Sequence, residues 1–168
     1  MKIYLIGYRA TGKSSVAAHL AKQLALEKIS LDDEFIKEHG PIARFVEDYG
    51  WHSFRDMETQ LLESASSKDD VIIDCGGGVI LREKNRELLK SGKCIWLQAS
   101  VETIVERLEK DGKTVDQRPS LTGRSDEVEH VLKEREPLYW EAADHMIDTD
   151  GRDMTNIVEE IVNITKNC

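Results

Sequence analysis

The sequence predicts an α/β fold, a parallel sheet covered by helices on both faces, and three observations predict it. Apolar runs of strand length alternate with longer stretches of helical period along most of the chain. Two of the runs, Ile3 to Ile6 and Val71 to Ile73, are apolar throughout, as strands buried on both faces require. A glycine loop joins the first run, Ile3-Tyr-Leu-Ile6, to an amphipathic stretch carrying Val16, Ala17, Leu20, Ala21 and Leu24.

The later elements follow the same alternation. Lys28 to Leu31 reads as a second strand, and its end carries Ser30-Leu-Asp32-Asp33. Helical stretches over 34–39, 42–49 and 53–64 come next, punctuated by Gly40-Pro41 and Gly50. Val71-Ile-Ile73 is a third strand, ending in Asp74-Cys75-Gly76-Gly77-Gly78. Residues 85–90 read as a helix, 93–97 as a strand, and 101–109 as a helix with Ile104, Val105 and Leu108 on one face. A helix over 126–143, a short strand over 145–147 and a closing helix over 154–164 complete the chain. Ligands of such sheets collect beyond the carboxyl ends of the strands. The polar stretch 110–125, with Gly112, Pro119 and Gly123, is too long for an ordinary connection and predicts a mobile lid. Its Gln117-Arg118-Pro119 would carry a cation over bound phosphates on closure, although a plain solvated loop is the simpler alternative.

Composition bounds the function. A chain of 168 residues, 40% hydrophobic and 33% charged, suits one compact soluble domain over 1–168. The formal net charge of −9 excludes a broad nucleic-acid surface, so any anion site must be local. Arg9, Lys13, Arg55, Arg107, Arg118, Arg135 and Arg152 are the basic residues to place. Neither a leader nor a long apolar span is read, so a cytoplasmic protein with no membrane partner is expected. Cys75, Cys94 and Cys168 lack metal-ligand spacing and are expected as free thiols.

The glycine loop carries the chemistry. Gly7-Tyr-Arg-Ala-Thr-Gly-Lys-Ser14 matches the phosphate-cradling pattern, and it has the strand before and the helix after that the pattern needs. Gly7 and Gly12 allow backbone angles that turn successive N–H groups onto an anion, so that Arg9, Ala10, Thr11 and Ser15 also adjoin the nucleotide. Lys13 would reach the β- and γ-phosphates, Ser14 would ligate Mg²⁺, and the following helix aims its positive end at the same charge. Lys13 is expected to be exposed, with little part in packing. The motif points to ATP or a similar nucleotide without naming the acceptor.

Several separated signatures together resemble the shikimate kinases. They are the loop Gly7 to Ser14, the carboxylates after the second strand, Phe54-Arg55 with Glu58, Gly76 to Gly78, Arg118-Pro119, and Arg135-Glu-Pro-Leu-Tyr139. The resemblance implies a P-loop domain of the nucleoside-monophosphate-kinase type, with five parallel strands and a lid. It also implies transfer of the ATP γ-phosphoryl group to the 3-hydroxyl of shikimate, with Mg²⁺ as cofactor and ATP and shikimate as partners; a monomer is expected, although the sequence does not fix the oligomeric state. By the same resemblance Arg55 and Arg135 hold the substrate carboxylate and Asp32 holds the acceptor hydroxyl. Gly76, Gly77 and Gly78 let backbone approach the ring, Arg107 and Arg152 face the adenine, and Arg118 acts from the lid. Asp33 replaces Asp32 if the register slips by one residue. Arg55 and Glu58, three apart on a helix, could equally pair only with each other.

One departure stands out. Shikimate kinases commonly carry Asp-x-Asp after the second strand and a small hydroxyl residue two positions before the triple glycine. This chain has Ser30 at the first place and Asp74 at the second. The expectation is that Asp74, with Ser14, serves Mg²⁺ in place of the missing aspartate.

Overall fold

A computed structural model describes residues 1–110 and 125–166. Five parallel strands, β1 (Lys2–Ile6), β2 (Glu27–Ser30), β3 (Val71–Asp74), β4 (Lys93–Gln98) and β5 (His145–Asp148), form one sheet in the order β2-β3-β1-β4-β5. The oldest rule of strand chemistry separates the two cores, because successive side chains point to opposite faces. Tyr4, Ile6, Ile73 and Trp96 pack on one side with Leu62, Leu89 and Tyr139. Ile3, Leu5, Ile72, Ile95 and Leu97 pack on the other with Val16, Leu20, Ile157 and Ile161.

The helices are α1 (Lys13–Leu24), α2 (Leu31–His39), α3 (Ile42–Ser66), α4 (Glu83–Leu89), α5 (Val101–Lys110), α6 (Ser125–Ala142) and α7 (Met154–Lys166). A 3-10 turn over Val79–Leu81, not evident from the sequence pattern, links the triple glycine to α4. The second strand stops one residue earlier than its apolar pattern suggests. Ser30 caps α2, its hydroxyl accepting from the Asp33 N–H at 3.2 Å, so Leu31 belongs to the helix. The two helical stretches expected on either side of Gly50 are joined end to end in α3. They break at Gly50, whose φ of 83° and ψ of 164° are open to glycine but strained for other residues.

Strand β1 lies at the centre, so the loop that follows it sits at the middle of the carboxyl edge. The ends of β2 and β3 flank it on one side, and those of β4 and β5 on the other. Among the described residues no helix is long and apolar enough to cross a membrane. The lid segment expected over 110–125, with Arg118, falls almost wholly outside the described residues, as does Cys168. Cys75 and Cys94 are free and buried, and burial pushes both thiols well above the ordinary range.

Candidate active site

The loop from Gly7 to Gly12 makes a cradle in backbone. Gly7 has φ 143° and Gly12 φ 89°, and a Cβ on Gly7 would run into the Leu97 carbonyl of β4. Thr11 donates its hydroxyl to the Tyr8 carbonyl at 2.7 Å, which closes the loop on itself. Lys13, expected to be exposed, is buried, and its Nζ donates to the same Tyr8 carbonyl at 2.9 Å. The lysine is therefore part of the loop's framework as well as its charge. Its aliphatic stem fits because α1 begins at Lys13 itself and turns that side chain back along the loop.

In front of the cradle lies a cavity of about 290 Å³ lined by Arg9, Lys13, Ser14, Ser30, Asp32, Asp33, Asp74, Gly76 and Gly77, among others. Ser14 donates its hydroxyl to Asp74 Oδ2 at 2.6 Å. Ser30 and Asp74 are register partners at the ends of β2 and β3, so they occupy adjacent places on one edge of the sheet. Burial pushes the Asp74 carboxyl above its usual range, opposed by the Lys13 charge and the Ser14 hydrogen bond and reinforced by the Asp32 charge. Asp32 is half-buried and Asp33 is exposed, both in the first turn of α2.

A wider cleft of about 560 Å³ opens beside this cavity, lined by Tyr8, Arg9, Trp51, His52, Arg55, Gly77, Leu81, Arg82, Val131 and Arg135. The Arg55–Glu58 pairing left open by the sequence does form, at 2.7 Å, but Glu58 is buried and the pair is no surface decoration. The Arg55 guanidinium also lies 5.2 Å from the ring centroids of both Trp51 and Phe54. With one edge fixed by Glu58 and its faces flanked by rings, the fork is held for a planar anion. Gly78 makes room for it, since a Cβ there would run into that guanidinium. Arg135 comes from α6 and borders Gly77, where an added Cβ would lie 3.6 Å from its Nη1.

A third cavity, about 540 Å³, brings together Arg107, Arg152, Thr149, Met154 and Ile157 beside Ala10 to Gly12 and Ser15. Arg107 Nη1 donates to the Ala10 carbonyl at 3.0 Å. Arg152 pairs with Glu160 at 2.6 Å and donates to the Asp148 carbonyl at 3.2 Å. The two arginines, 45 residues apart by position number and without landmarks around them, therefore face one pocket on the far side of the loop.

The expected residues line three adjoining spaces, except Gly7 and Gly78, which line none of the three, and Arg118, which lies outside the described residues. Arg9, assigned by its place in the loop to the nucleotide, also forms part of the wall between cradle and cleft. Sequence reasoning missed Tyr8 and Arg82 as cleft residues. Arg82 is tied at 2.7 Å to Asp56, which lies between Arg55 and Glu58, but Arg82 itself stands in a segment that carries no motif, so nothing in the sequence marked it.

A strand-loop-helix phosphate cradle beside a cationic cleft, on a five-stranded parallel sheet, defines a P-loop small-molecule kinase. The family model for shikimate kinase matches residues 9–166. A shikimate kinase of Rhodopirellula baltica is 43% identical over 164 residues, covering 95% of this chain and 88% of that protein. One from Nitratidesulfovibrio vulgaris is 41% identical, covering 95% and 93%. The solved structure of the Acinetobacter baumannii shikimate kinase in complex with shikimate superposes with a TM-score of 0.90 at 30% identity, covering 99% of this chain and 93% of that one. The chain belongs to the shikimate kinase family.

Proposed function

We infer that this protein transfers the γ-phosphoryl group of ATP to the 3-hydroxyl of shikimate, giving shikimate 3-phosphate and ADP for the synthesis of aromatic amino acids. The observation that carries this reading is the shared wall. Arg9 and Gly77 line both the phosphate cavity and the arginine cleft, so a carboxylate held in the cleft leaves the far side of a small ring within the cavity.

Each residue then has a physical task. Arg55 and Arg135 clamp the carboxylate, and Asp32 orients the acceptor hydroxyl and takes its proton late, because the phosphoryl transition state is loose. Lys13 and the loop N–H groups stabilise the charge on the transferring group. Arg107 and Arg152 border the adenine, and Arg118 acts from the lid. The working unit is a cytoplasmic monomer.

The residues also fit Mg²⁺. Ser14 and Asp74 place a hydroxyl and a carboxylate oxygen together at the mouth of the phosphate cavity, and this ion favours one or two carboxylates plus water and phosphate oxygens. A buried carboxylate whose ionisation is opposed by its surroundings is a group that a divalent cation relieves. When bound there, the ion would neutralise charge on the β- and γ-phosphates. Asp74 occupies the strand end next to Ser30, so the family's usual aspartate has moved across one strand pairing without leaving the site.

A coupled assay with shikimate, gluconate, AMP and dTMP tests the acceptor, with turnover expected on shikimate. Comparable turnover on another member of the panel would overturn the assignment. For the ion, Asp74→Ala is expected to raise the Mg²⁺ concentration for half-maximal rate and to weaken Mn²⁺ binding measured by electron paramagnetic resonance with ADP present. Ser30→Ala should be mild, and Ser30→Asp with Asp74→Ser should restore much of the binding. An Asp74→Ala protein indistinguishable from the parent would refute the relocated carboxylate.

A further inference from the structure

The triple glycine is held by a residue that touches neither cavity. Tyr139, fully buried in α6, donates its phenol O–H to the Gly77 carbonyl at 2.6 Å, and its ring stacks on Trp96 with centroids 5.4 Å apart. Four residues earlier on the same helix stands Arg135, so one turn of α6 sets both a clamp arginine and the glycine backbone. The peptide between Gly77 and Gly78 is planar, and its carbonyl and N–H point to opposite sides. Fixing the carbonyl toward Tyr139 therefore turns the Gly78 N–H away from that phenol.

The hydrogen bonds of this segment are unbalanced. Val79 and Leu81 donate to the carbonyls of Gly76 and Gly78, and Tyr139 donates to that of Gly77, so all three carbonyls are engaged. Among the described residues the N–H groups of Gly76, Gly77 and Gly78 have no acceptor, although all three glycines are buried. Buried backbone N–H groups are rarely left unpaired in a finished structure. Gly76 and Gly77 line the phosphate cavity and Gly77 also lines the cleft, so donors of this segment border the space open to an oxygen of a bound molecule.

We propose that Tyr139 is a positioning residue for the acceptor substrate. Its hydroxyl fixes the orientation of the Gly77–Gly78 peptide, so that backbone N–H groups of the triple glycine meet a carboxylate or hydroxyl oxygen of the ring. This rests on the cleft being the shikimate site. The role is expected to be selective, since the hydrogen bond of the phenol falls on the triple glycine after β3, a segment separate from the Gly7–Gly12 loop that cradles ATP.

The test is Tyr139→Phe, which keeps the ring and its stacking on Trp96. The KM for shikimate should rise about three- to tenfold, the range for one hydrogen bond, while kcat and the KM for ATP change less than twofold. In protein labelled with ¹⁵N-glycine, the triple-glycine amide resonances should move on adding shikimate to the parent and move less in the variant. The Gly78 amide should also exchange with solvent faster in the variant without any ligand. An unaltered shikimate KM with unaltered glycine amides overturns the proposal. So does an equal rise in both KM values with a fall in thermal midpoint, which marks a purely structural residue. If the parent fails to phosphorylate shikimate, the cleft assignment is what falls, and the ligand-free exchange rates still judge the tyrosine.

Discussion

Two glycine segments stand side by side at the ends of β1 and β3, and they need glycine for different reasons. In the phosphate loop, Gly12 has a φ of 89° with nothing within 4 Å of a would-be Cβ, so only the backbone angle demands glycine. At Gly78 the angle is ordinary, with φ −99° and ψ 6°, and the demand comes from the Arg55 guanidinium that occupies the space. The first segment is conformational at Gly12, adds at Gly7 a steric demand from the Leu97 carbonyl, and serves an anion with main-chain dipoles. The second is steric, and lets a charged side chain and a substrate ring approach the main chain. The lesson is that a glycine motif gives its location long before its mechanism.

The contrast can be broken by substitution. The largest effect is expected from Lys13→Ala, which should lower kcat by about 10²–10³-fold, the range for removing a group aimed at developing charge. Because Nζ also holds the Tyr8 carbonyl, ATP affinity should fall as well. Circular dichroism should show the sheet and helices intact, and a variant retaining most of its turnover would contradict the cradle.

The paired glycine variants sharpen the difference. Gly78→Ala should displace the far end of Arg55 and weaken shikimate binding by about 1.5–3 kcal/mol, roughly ten- to 150-fold, with ATP binding unchanged. Gly12→Ala should reverse the pattern. It has room but the wrong backbone angle, so it should cost about 1–2 kcal/mol in stability and weaken nucleotide binding while sparing shikimate. Titration of both ligands into both variants, with denaturant melts, reads all four outcomes. If the two variants lose the same ligand, the distinction between conformational and steric glycine fails.

Most of the fold was legible because its signals are local. The five strands, the order of helices and the loop from Gly7 to Ser14 each depend on residues close in sequence. Several boundaries shifted by one or two residues, and at Ser30 the cause is a side chain, whose cap on α2 claims Leu31 from the strand. Lys13 was misjudged as exposed because its burial depends on how α1 turns back over the loop, which no pattern of apolar residues records.

By itself the sequence determined the α/β class, the phosphate cradle and, through the spacing of Arg55, the triple glycine and Arg135, the family. The class and the cradle rest on backbone preference and on the period of apolar residues, both of which are written in neighbouring positions, whereas the family rests on the resemblance of separated motifs. Only the tertiary structure decided that Arg55 is held by buried Glu58 and flanked by Trp51 and Phe54, that Ser14 meets Asp74, and that Tyr139 grips the Gly77 carbonyl. The latter two contacts join residues about 60 positions apart. Their geometry follows from parallel strand register and helix packing, which emerge when distant segments close on a common core and are not encoded in any single stretch of chain.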